Sequence, residues 1–220
     1  MKKGLLHFFL ILSLFSCQSL KDGREQKQLS SSIMEEYWSR IDNWIQKEAP
    51  ALAAEINGPA TANEIKDLEE YLGVEFPGSF KEFYRIHDAQ KAHSDGIMNA
   101  EEFLSLERIK DEWTVWNDLL KGGDFEGITS TPVKGIKNDW WNAKWIPITY
   151  DGGGNHICLD LDPAEGGNYG QMIRMWHDDD TREMIAPSFE AWIKTYVEDL
   201  EKGEYVYSDD YGGLIRKDEL

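Results

Sequence analysis

Apolar residues recur at helical spacing in the first half of the chain and again near its end, which predicts five amphipathic helices. Ser32 and Thr61 are each followed three residues later by a glutamate, and this capping-box pattern predicts the starts of the first two helices. Pro50 is predicted to end the first helix and Gly73 the second. The apolar faces consist of Ile33, Tyr37, Ile41, Trp44 and Ile45; of Ile65, Leu68 and Leu72; of Phe80, Phe83, Tyr84 and His87; of Ile109, Trp113, Trp116 and Leu120; and of Phe189, Trp192, Ile193, Tyr196, Val197 and Leu200.

The pattern changes to that of strands between the fourth and the fifth helix. Residues 144–150 are predicted to form a strand, in which Pro147 indicates a sheet edge or a bulge. Further strands are predicted over residues 156–161, 171–177 and 182–186. The turns between them lie at residues 151–155, 162–170 and 178–180. Because helices precede an antiparallel meander and one helix follows it, the fold class is α+β, with N-terminal helices, a central antiparallel sheet and a C-terminal helix.

Four segments of the chain differ in composition. Residues 1–16 combine two lysines with an apolar stretch too short to span a bilayer, which is typical of an export signal. Residues 17–30 are polar and aperiodic and are predicted to be a flexible tether. Residues 31–203 carry the predicted helices and strands and form the domain. Residues 204–220 are predicted to be an acidic, loosely held C-terminal tail.

The end of the predicted export signal makes Cys17 a candidate lipidation site. Residues 14–17 are Leu-Phe-Ser-Cys, which resembles the bacterial lipobox, where the cysteine takes a diacylglycerol and becomes the new N-terminus. Such a chain would be held at a membrane of the cell envelope through its lipid alone. The alternative is an ordinary signal peptide with a coincidental cysteine. The chain also ends in Lys217-Asp218-Glu219-Leu220, the ER-retention address, which would instead predict the ER lumen.

The charge of the chain narrows the class of partner. Its 41 acidic and 23 basic residues give a formal net charge of −18. Since phosphate backbones repel such a chain, the charge argues against nucleic-acid binding and favours a basic protein partner or a cation. The alternative is that the charge serves solubility alone.

Acidic and aromatic residues in the second half are the candidate partner contacts. Asp160 and Asp162 could hold a divalent metal, but Pro163 indicates that the strand ends there, which favours a turn-capping role. Residues 178–180 could bind calcium, but no spaced ligand follows, which favours an exposed acidic turn. The candidate contacts are Trp140, Trp141, Asp160, Asp162, Glu165, Asp178, Asp179 and Asp180.

Nine tryptophans are more than a core of this size needs. Trp140 and Trp141 lie in a polar stretch, so at least one is expected to face outward, where it could anchor an interface or stack on a sugar. Catalysis has weaker support, because His156 and Cys158 share a predicted strand face without an orienting acid, and no histidine spacing suits a metal. No catalytic residue, metal site or cofactor is therefore predicted.

Two stretches of the chain carry a family pattern. The first contains Glu64-Ile65 through Glu69, Leu72-Gly73-Val74, Phe76-Pro77 and Ser79-Phe80-Lys81-Glu82-Phe83-Tyr84. The second contains Trp145-Ile146-Pro147-Ile148, Asp151-Gly152-Gly153-Gly154, Leu159-Asp160-Leu161-Asp162-Pro163, Gly166-Gly167, Gly170-Gln171, His177-Asp178, Ala186, Ser188-Phe189 and Trp192. In this order and spacing they resemble the SUKH superfamily, which joins fungal cell-wall-assembly regulators with bacterial toxin-immunity proteins.

The resemblance implies an α+β fold around a central sheet, no enzymatic activity and, in bacteria, binding and neutralisation of a toxin. The chain departs from the family's usual Asn-Gly turn after the third helix, where it has His87-Asp88-Ala89-Gln90. The predicted function is therefore a non-catalytic, immunity-type or regulatory domain that binds a basic partner or toxin at the cell envelope. Two alternatives are a module that binds cell-wall carbohydrate and a metal-dependent enzyme that uses Asp160, Asp162 and Asp178.

Overall fold

The structure is a computed structural model that describes Gln28 and residues 31–220. The predicted export signal, Cys17 and the predicted tether apart from Gln28 lie outside the described residues. Gln28 itself is helical. Within the described part, none of the helices combines the length and the apolar character that crossing a bilayer requires.

Five α-helices and two 3-10 helices are described, and three of the α-helices begin at a side-chain cap and end at a left-handed glycine. They are α1 over residues 31–48, a 3-10 helix Pro50–Glu55, α2 Ala62–Leu72, α3 Gly78–Tyr84, α4 Leu106–Gly122, α5 Phe189–Lys202 and a 3-10 helix Lys217–Glu219. The predicted capping box of α2 is confirmed, with Thr61 and Glu64 bonded reciprocally and Gly73 ending the helix at φ 68°. The prediction that Ser32 begins the first helix is wrong, because residue 31 is already helical.

The strands form one five-stranded sheet and two two-stranded sheets, of which only the pair near the C-terminus is a hairpin. They are β1 Glu102–Phe103, β2 Thr131–Pro132, β3 Trp145–Pro147, β4 Thr149–Tyr150, β5 His156–Asp160, β6 Gln171–Met175, β7 Thr181–Ala186, β8 Tyr205–Ser208 and β9 Gly213–Arg216. The main sheet has the order β2-β7-β6-β5-β3, and its predicted antiparallel meander β5-β6-β7 is confirmed. One pair departs from the antiparallel prediction, since β2 lies parallel to β7.

The predicted strand over residues 144–150 is divided between two sheets. Its first part is β3, at the edge of the main sheet, so the edge position predicted from Pro147 is confirmed. Its second part is β4, which pairs with β1. Proline cannot donate a ladder hydrogen bond, so an edge is where a sheet tolerates it.

Helices cover both faces of the main sheet. On one face, His156 Nε2 accepts a hydrogen bond of 3.1 Å from the Trp116 indole of α4. On the other face, Ile157 lines a small cavity together with Trp192 of α5. The α5 helix also packs on α3, with the Phe80 and Phe189 ring centroids 5.3 Å apart. These layers confirm the predicted α+β fold.

The segment over residues 204–220, predicted to be a loosely held tail, is a hairpin packed on the domain. Its strands β8 and β9 pair with each other, and Leu214 is fully buried. Gly96 N donates to Gly212 O at 2.8 Å, and Leu214 N donates to Gly96 O at the same distance. A Cβ on Gly213 would lie 2.1 Å from Gly96 O, so this approach of two backbones requires glycine. The tail prediction is wrong because these contacts join positions more than a hundred residues apart.

All nine tryptophans lie within the described residues, and none of them is exposed. Trp38, which the apolar pattern of the first helix leaves out, is 1% exposed, whereas the predicted core residue Trp44 is only half-buried. In α4, Leu120 was placed on the predicted apolar face and is 36% exposed. The excess of tryptophan is therefore a property of the core and not of the surface.

Candidate functional site

A groove runs between the first turns of α2, the first half of α4 and the loop after α3. It consists of two adjoining depressions of about 560 and 330 Å³, which share Glu64, Asp88 and Glu107. Asp67 lines one depression and Asp111 the other. We call the surface formed by these five carboxylates the acidic groove.

Local structure places three of the five carboxylates of the acidic groove, Glu64, Asp88 and Glu107, at helix starts. Glu64 Oε2 accepts from Thr61 N at 2.7 Å in the capping box of α2. Asp88 Oδ1 accepts from Leu106 N at 2.8 Å, at the first residue of α4. Glu107 follows in the first turn of the same helix. Carboxylates are stabilised at these positions because helix N-termini carry partial positive charge.

The loop that carries Asp88 contains a residue in the left-handed backbone conformation that glycine favours, although that residue is an alanine. Ala89, in the segment where the family usually has Asn-Gly, has φ 48° and is fully buried. Asn57 holds this loop, because its side-chain amide donates to Asp88 O at 2.8 Å and to Gln90 O at 2.7 Å. The tertiary contacts thus maintain a left-handed residue that alanine alone disfavours.

Three cationic side chains line the acidic groove, namely Lys91, Arg108 and Lys110. Lys91 is half-exposed and lies 3.9 Å from Glu55, whereas the other two are engaged more closely. Arg108 bonds Glu102 at 3.0 Å and Glu112 at 2.6 Å. Lys110 lies over the Tyr71 ring, with its Nζ 4.4 Å from the centroid.

Asp111 lies 3.9 Å from the Arg108 guanidinium, but three other carboxylates of the groove lack such a partner. Among the described residues, no cationic side chain lies within ion-pair distance of Asp67, Asp88 or Glu107. The groove therefore presents negative charge that the described part of the chain does not neutralise.

Asp88 has the most perturbed carboxyl of the groove. Its pKa is raised to about 6, mainly by burial and to a smaller extent by repulsion from Glu64 and Glu107, while the bond from the Leu106 amide opposes the rise. A partly desolvated carboxylate between two like charges gains more from a cation than a solvated one does. The groove can thus bind a cationic group, and binding would draw the proton off Asp88.

Asp160 and Asp162, by contrast, are engaged within the fold. Asp160 is fully buried, and its carboxylate accepts from Asp162 N at 2.9 Å and from Gln171 Nε2 at 2.7 Å. Asp162 pairs with Lys137 at 2.5 Å. The turn-capping role of Asp160 is confirmed, and a partner at the surface cannot reach its carboxylate.

The predicted acidic turn over residues 178–180 is confirmed as exposed. Asp179 Oδ1 accepts from Thr181 N at 2.7 Å, and Asp180 Oδ2 accepts from Thr131 Oγ1 at 2.6 Å. Glu165 is exposed on a different loop. Across residues 31–220, no three acidic, histidine or cysteine side chains converge as a metal site would need. Partner contact by this turn stays a prediction.

The two candidate tryptophans do not face outward as expected. Trp141 is 2% exposed and stacks on Trp116 with ring centroids 5.4 Å apart. Trp140 is half-buried beneath the Arg182 guanidinium, whose Cζ lies 5.1 Å from the ring centroid. The reason is that residues 137–142 lie against the sheet instead of forming an exposed strand. No tryptophan is therefore presented for stacking on a sugar.

His156 and Cys158 share a strand face as predicted, but both are fully buried. Burial lowers the pKa of His156 to about 4 and raises that of the Cys158 thiol. Both side chains are consequently neutral near pH 7, and neither has the activated state that a nucleophile and base require.

Sequence reasoning missed the acidic groove because its carboxylates come from three separate segments. Glu64 entered as a helix cap, Glu64 and Asp67 lay within the family pattern without a role of their own, and Glu107 belonged to no motif. A usable signal was the density of acidic residues between Glu101 and Glu112, ahead of and within the fourth helix.

The acidic groove lies within the stretch of the chain that matches a known protein family. The model of the SMI1 / KNR4 family (SUKH-1) matches residues 59–195, a range that contains all five carboxylates of the groove. The chain is 27% identical to the "Cell wall assembly regulator SMI1" of Saccharomyces cerevisiae over 209 residues, which cover 79% of this chain and 41% of that protein.

Two further relatives have similar names. The chain is 28% identical to the "Cell wall biosynthesis/cell cycle regulator smi1" of Schizosaccharomyces pombe, over 81% of this chain and 38% of that protein. It is 24% identical to the "Glucan synthesis regulatory protein" of Neurospora crassa, over 80% of this chain and 40% of that protein. The chain thus spans about two fifths of the length of these relatives, all three of which are named as regulators.

Proposed function

The chain belongs to the SMI1 / KNR4 family (SUKH-1), and on that premise we propose that it is a non-catalytic domain that binds a basic partner protein in the acidic groove. One observation carries this proposal: Asp67, Asp88 and Glu107 line a common groove, and no cationic side chain of the described residues lies within ion-pair distance of them. The net charge of −18 acts in the same direction. Such a surface steers a basic partner toward it and raises the association rate.

The chemistry of the groove fits lysine and arginine side chains. A carboxylate at a helix start offers two acceptor oxygens, and a guanidinium or ammonium group binds these through charge-assisted hydrogen bonds. Asp88 lies where the two depressions meet, so a cation bound there would relieve the repulsion from Glu64 and Glu107. We therefore expect one partner side chain to insert at Asp88 and others to contact the rim.

The consequence of binding is proposed to be regulation or neutralisation of the partner. The relatives are named as regulators, and the buried His156 and Cys158 supply no reactive group. A basic toxin domain is one partner of the required charge. Lipidation at Cys17 would hold the domain at the cell envelope, where it would meet such a partner on entry.

Affinity capture with three immobilised proteins tests the groove. The baits are the wild-type chain, the groove variant Asp67→Asn/Glu107→Gln and the control Glu165→Gln/Asp178→Asn. Both variants remove two exposed negative charges, so they match in net charge. Captured proteins from the cells that produce this chain are quantified by mass spectrometry at low and at high salt.

We expect the wild type and the control to retain a basic protein at low salt and the groove variant to lose it. High salt should release this protein from the wild type and the control. If the groove variant retains every captured protein as well as the wild type does, the groove is not the binding surface. If the control loses the partner instead, the predicted acidic turn takes its place. Mass spectrometry of the mature chain tests the lipid at Cys17 separately.

A further inference from the structure

The two depressions of the acidic groove differ in the side chains that line them. The larger one is lined by charged, polar and small residues. The smaller one is lined by Leu68, Tyr71 and Leu106 in addition to four carboxylates and a lysine. Both leucines are buried and form its floor, whereas Tyr71 is 47% exposed and forms a wall. We call the part of the depression formed by Leu68, Tyr71 and Leu106 the apolar pocket.

Contacts with α4 hold the Tyr71 ring in place. Its hydroxyl lies 3.0 Å from Thr114 Oγ1, and its ring lies edge-on to the Trp113 ring, with the centroids 5.8 Å apart. Lys110 Nζ lies 4.4 Å from the centroid of the Tyr71 ring. A side chain that enters the apolar pocket therefore meets a wall that is already ordered, so little conformational entropy is lost there on binding.

The acidic rim restricts what can fill the apolar pocket. Glu64, Asp67, Asp88 and Glu107 line the same depression. An anionic or neutral apolar ligand would remove water from these carboxylates without supplying an opposite charge, which is unfavourable. A second copy of this chain is disfavoured as well, because each copy carries a formal net charge of −18. An apolar side chain with lysine or arginine next to it suits both the floor and the rim.

We propose that the apolar pocket receives an aliphatic side chain of the basic partner, such as leucine or methionine, with lysine or arginine beside it. This inference rests on the proposed function of the groove and adds an apolar anchor to it. Binding interfaces commonly combine a buried apolar anchor with a polar rim. Because the two depressions share Glu64, Asp88 and Glu107, a cation at Asp88 and the anchor would lie side by side. A basic amphipathic helix presents such neighbours on one face.

The apolar pocket would supply a specificity that charge alone does not. Negative charge steers any basic protein toward the groove. The pocket would favour only those basic proteins that present an aliphatic side chain at the matching place, because the others leave its floor unfilled.

Calorimetry with two peptides and the full chain tests the inference. Both peptides are lysine-rich and equal in length and charge, and they differ at one central position, which is leucine in one and serine in the other. The wild type should bind the leucine peptide at least about tenfold more tightly, because burial removes the apolar surface of the leucine from water. Salt should weaken the binding of both peptides by a similar factor, so this preference should persist at high salt.

Variants of Tyr71 locate the anchor. Tyr71→Ala removes the wall of the pocket and should abolish most of the preference for leucine. Tyr71→Phe keeps the ring, loses only the bond to Thr114 and should retain the preference. Tyr211→Ala is the matched control, since Tyr211 is 48% exposed in the turn between β8 and β9. A preference that persists equally in Tyr71→Ala and Tyr211→Ala would overturn the inference.

The groove variant Asp67→Asn/Glu107→Gln separates this inference from the proposed function. If it weakens binding of both peptides while the wild type shows no preference for leucine, the cation-binding groove stands and the apolar anchor is wrong. If it weakens binding of neither peptide, the proposed function and this inference both fail. Sedimentation covers the remaining occupant: self-association of the wild type that Tyr71→Ala abolishes would assign the pocket to a second copy and overturn the inference.

Discussion

Two acidic regions of this protein use their carboxylates differently. In the acidic groove, Asp67 and Glu107 accept no hydrogen bond and no ion pair from the described residues. In the region that the sequence pattern singled out, Asp160 and Asp180 accept bonds from Gln171 and Thr131. A carboxylate whose oxygens already accept hydrogen bonds within the fold has few free acceptor sites for a partner. The comparison shows that regions similarly rich in acidic residues differ in how many carboxylates the fold leaves without an internal partner.

The difference has an energetic basis. A buried carboxylate with satisfied hydrogen bonds stabilises the fold, and its removal leaves donors unpaired. Neighbouring carboxylates without cations repel one another, which destabilises the free protein slightly and strengthens binding of a cation. Substitution of the buried Asp160 should therefore lower the stability of the fold. Substitution of groove carboxylates should instead lower the affinity for a cationic partner.

The largest expected effect is on stability, at Asp160. Asp160→Ala removes the acceptor of Asp162 N and Gln171 Nε2 in a fully buried position. We expect the free energy of unfolding to fall by about 2–3 kcal/mol, measured by urea denaturation. Asp162→Ala is the control and should cost less than about 1 kcal/mol, because its pair with Lys137 is partly exposed. Equal losses would mean that Asp160 does not have the special role assigned to it.

The next effect is on affinity, in the groove. Asp67→Asn/Glu107→Gln should weaken binding of a lysine-rich peptide about tenfold, or about 1.4 kcal/mol, as measured by calorimetry at low salt. Its free energy of unfolding should change by no more than about 0.5 kcal/mol, since both side chains are exposed. The charge-matched Glu165→Gln/Asp178→Asn should bind nearly as well as the wild type. Equal weakening by both variants would show that only net charge matters.

A smaller effect concerns pH and Asp88. Its folded pKa of about 6 exceeds the unfolded value of about 3.9, so the folded state binds more protons between these values. The contribution of Asp88 to the free energy of unfolding of the wild type consequently falls as the pH rises through that window. Asp88→Asn keeps an oxygen for Leu106 N and cannot ionise, so its Tm relative to the wild type should increase from pH 4.5 to pH 7.5. A pH-independent difference would contradict the assigned shift.

The smallest effect is at the neighbouring His87. Asp42, through its hydrogen bond of 3.3 Å, is the main cause that raises the pKa of His87. The stabilisation is present below the unfolded pKa of about 6.5 and is lost as the pH rises through the folded value. Asp42→Asn should therefore lower stability by at most about 0.5 kcal/mol at pH 5.5 and leave it unchanged at pH 8.5, by thermal unfolding. An NMR titration of His87 gives the direct comparison, and an unaltered midpoint would count against the pair.

Local patterns predicted much of the fold. The capping box at Thr61 and Glu64, the edge strand at Pro147 and the meander of β5, β6 and β7 depend on neighbouring residues or short turns. The patterns failed where distant segments meet. Gly96 and Gly213 pack their backbones together, and no local signal distinguishes the resulting hairpin from a tail.

The sequence predicted the acidic character of the candidate site but not the residues that form it. Net charge indicated a basic partner, yet the residues proposed for it included the buried Trp141 and Asp160. Spacing along the chain cannot show that Trp141 stacks on Trp116, because that contact depends on how the segment before β3 returns across the sheet. Exposure is a tertiary property, so sequence reasoning could choose the residue types and not their accessibility.

By itself, the sequence determined the α+β class, the family pattern and the acidic character, because these follow from periodicity, motif order and composition. Only the tertiary structure decided which carboxylates stay free. Hydrogen bonds and ion pairs form between segments far apart in the chain, and these engage Asp160 while leaving Asp67 and Glu107 open in the groove. The same long-range packing buries Arg182 against the rings of Trp140 and Trp145, which no pattern of neighbouring residues could have indicated.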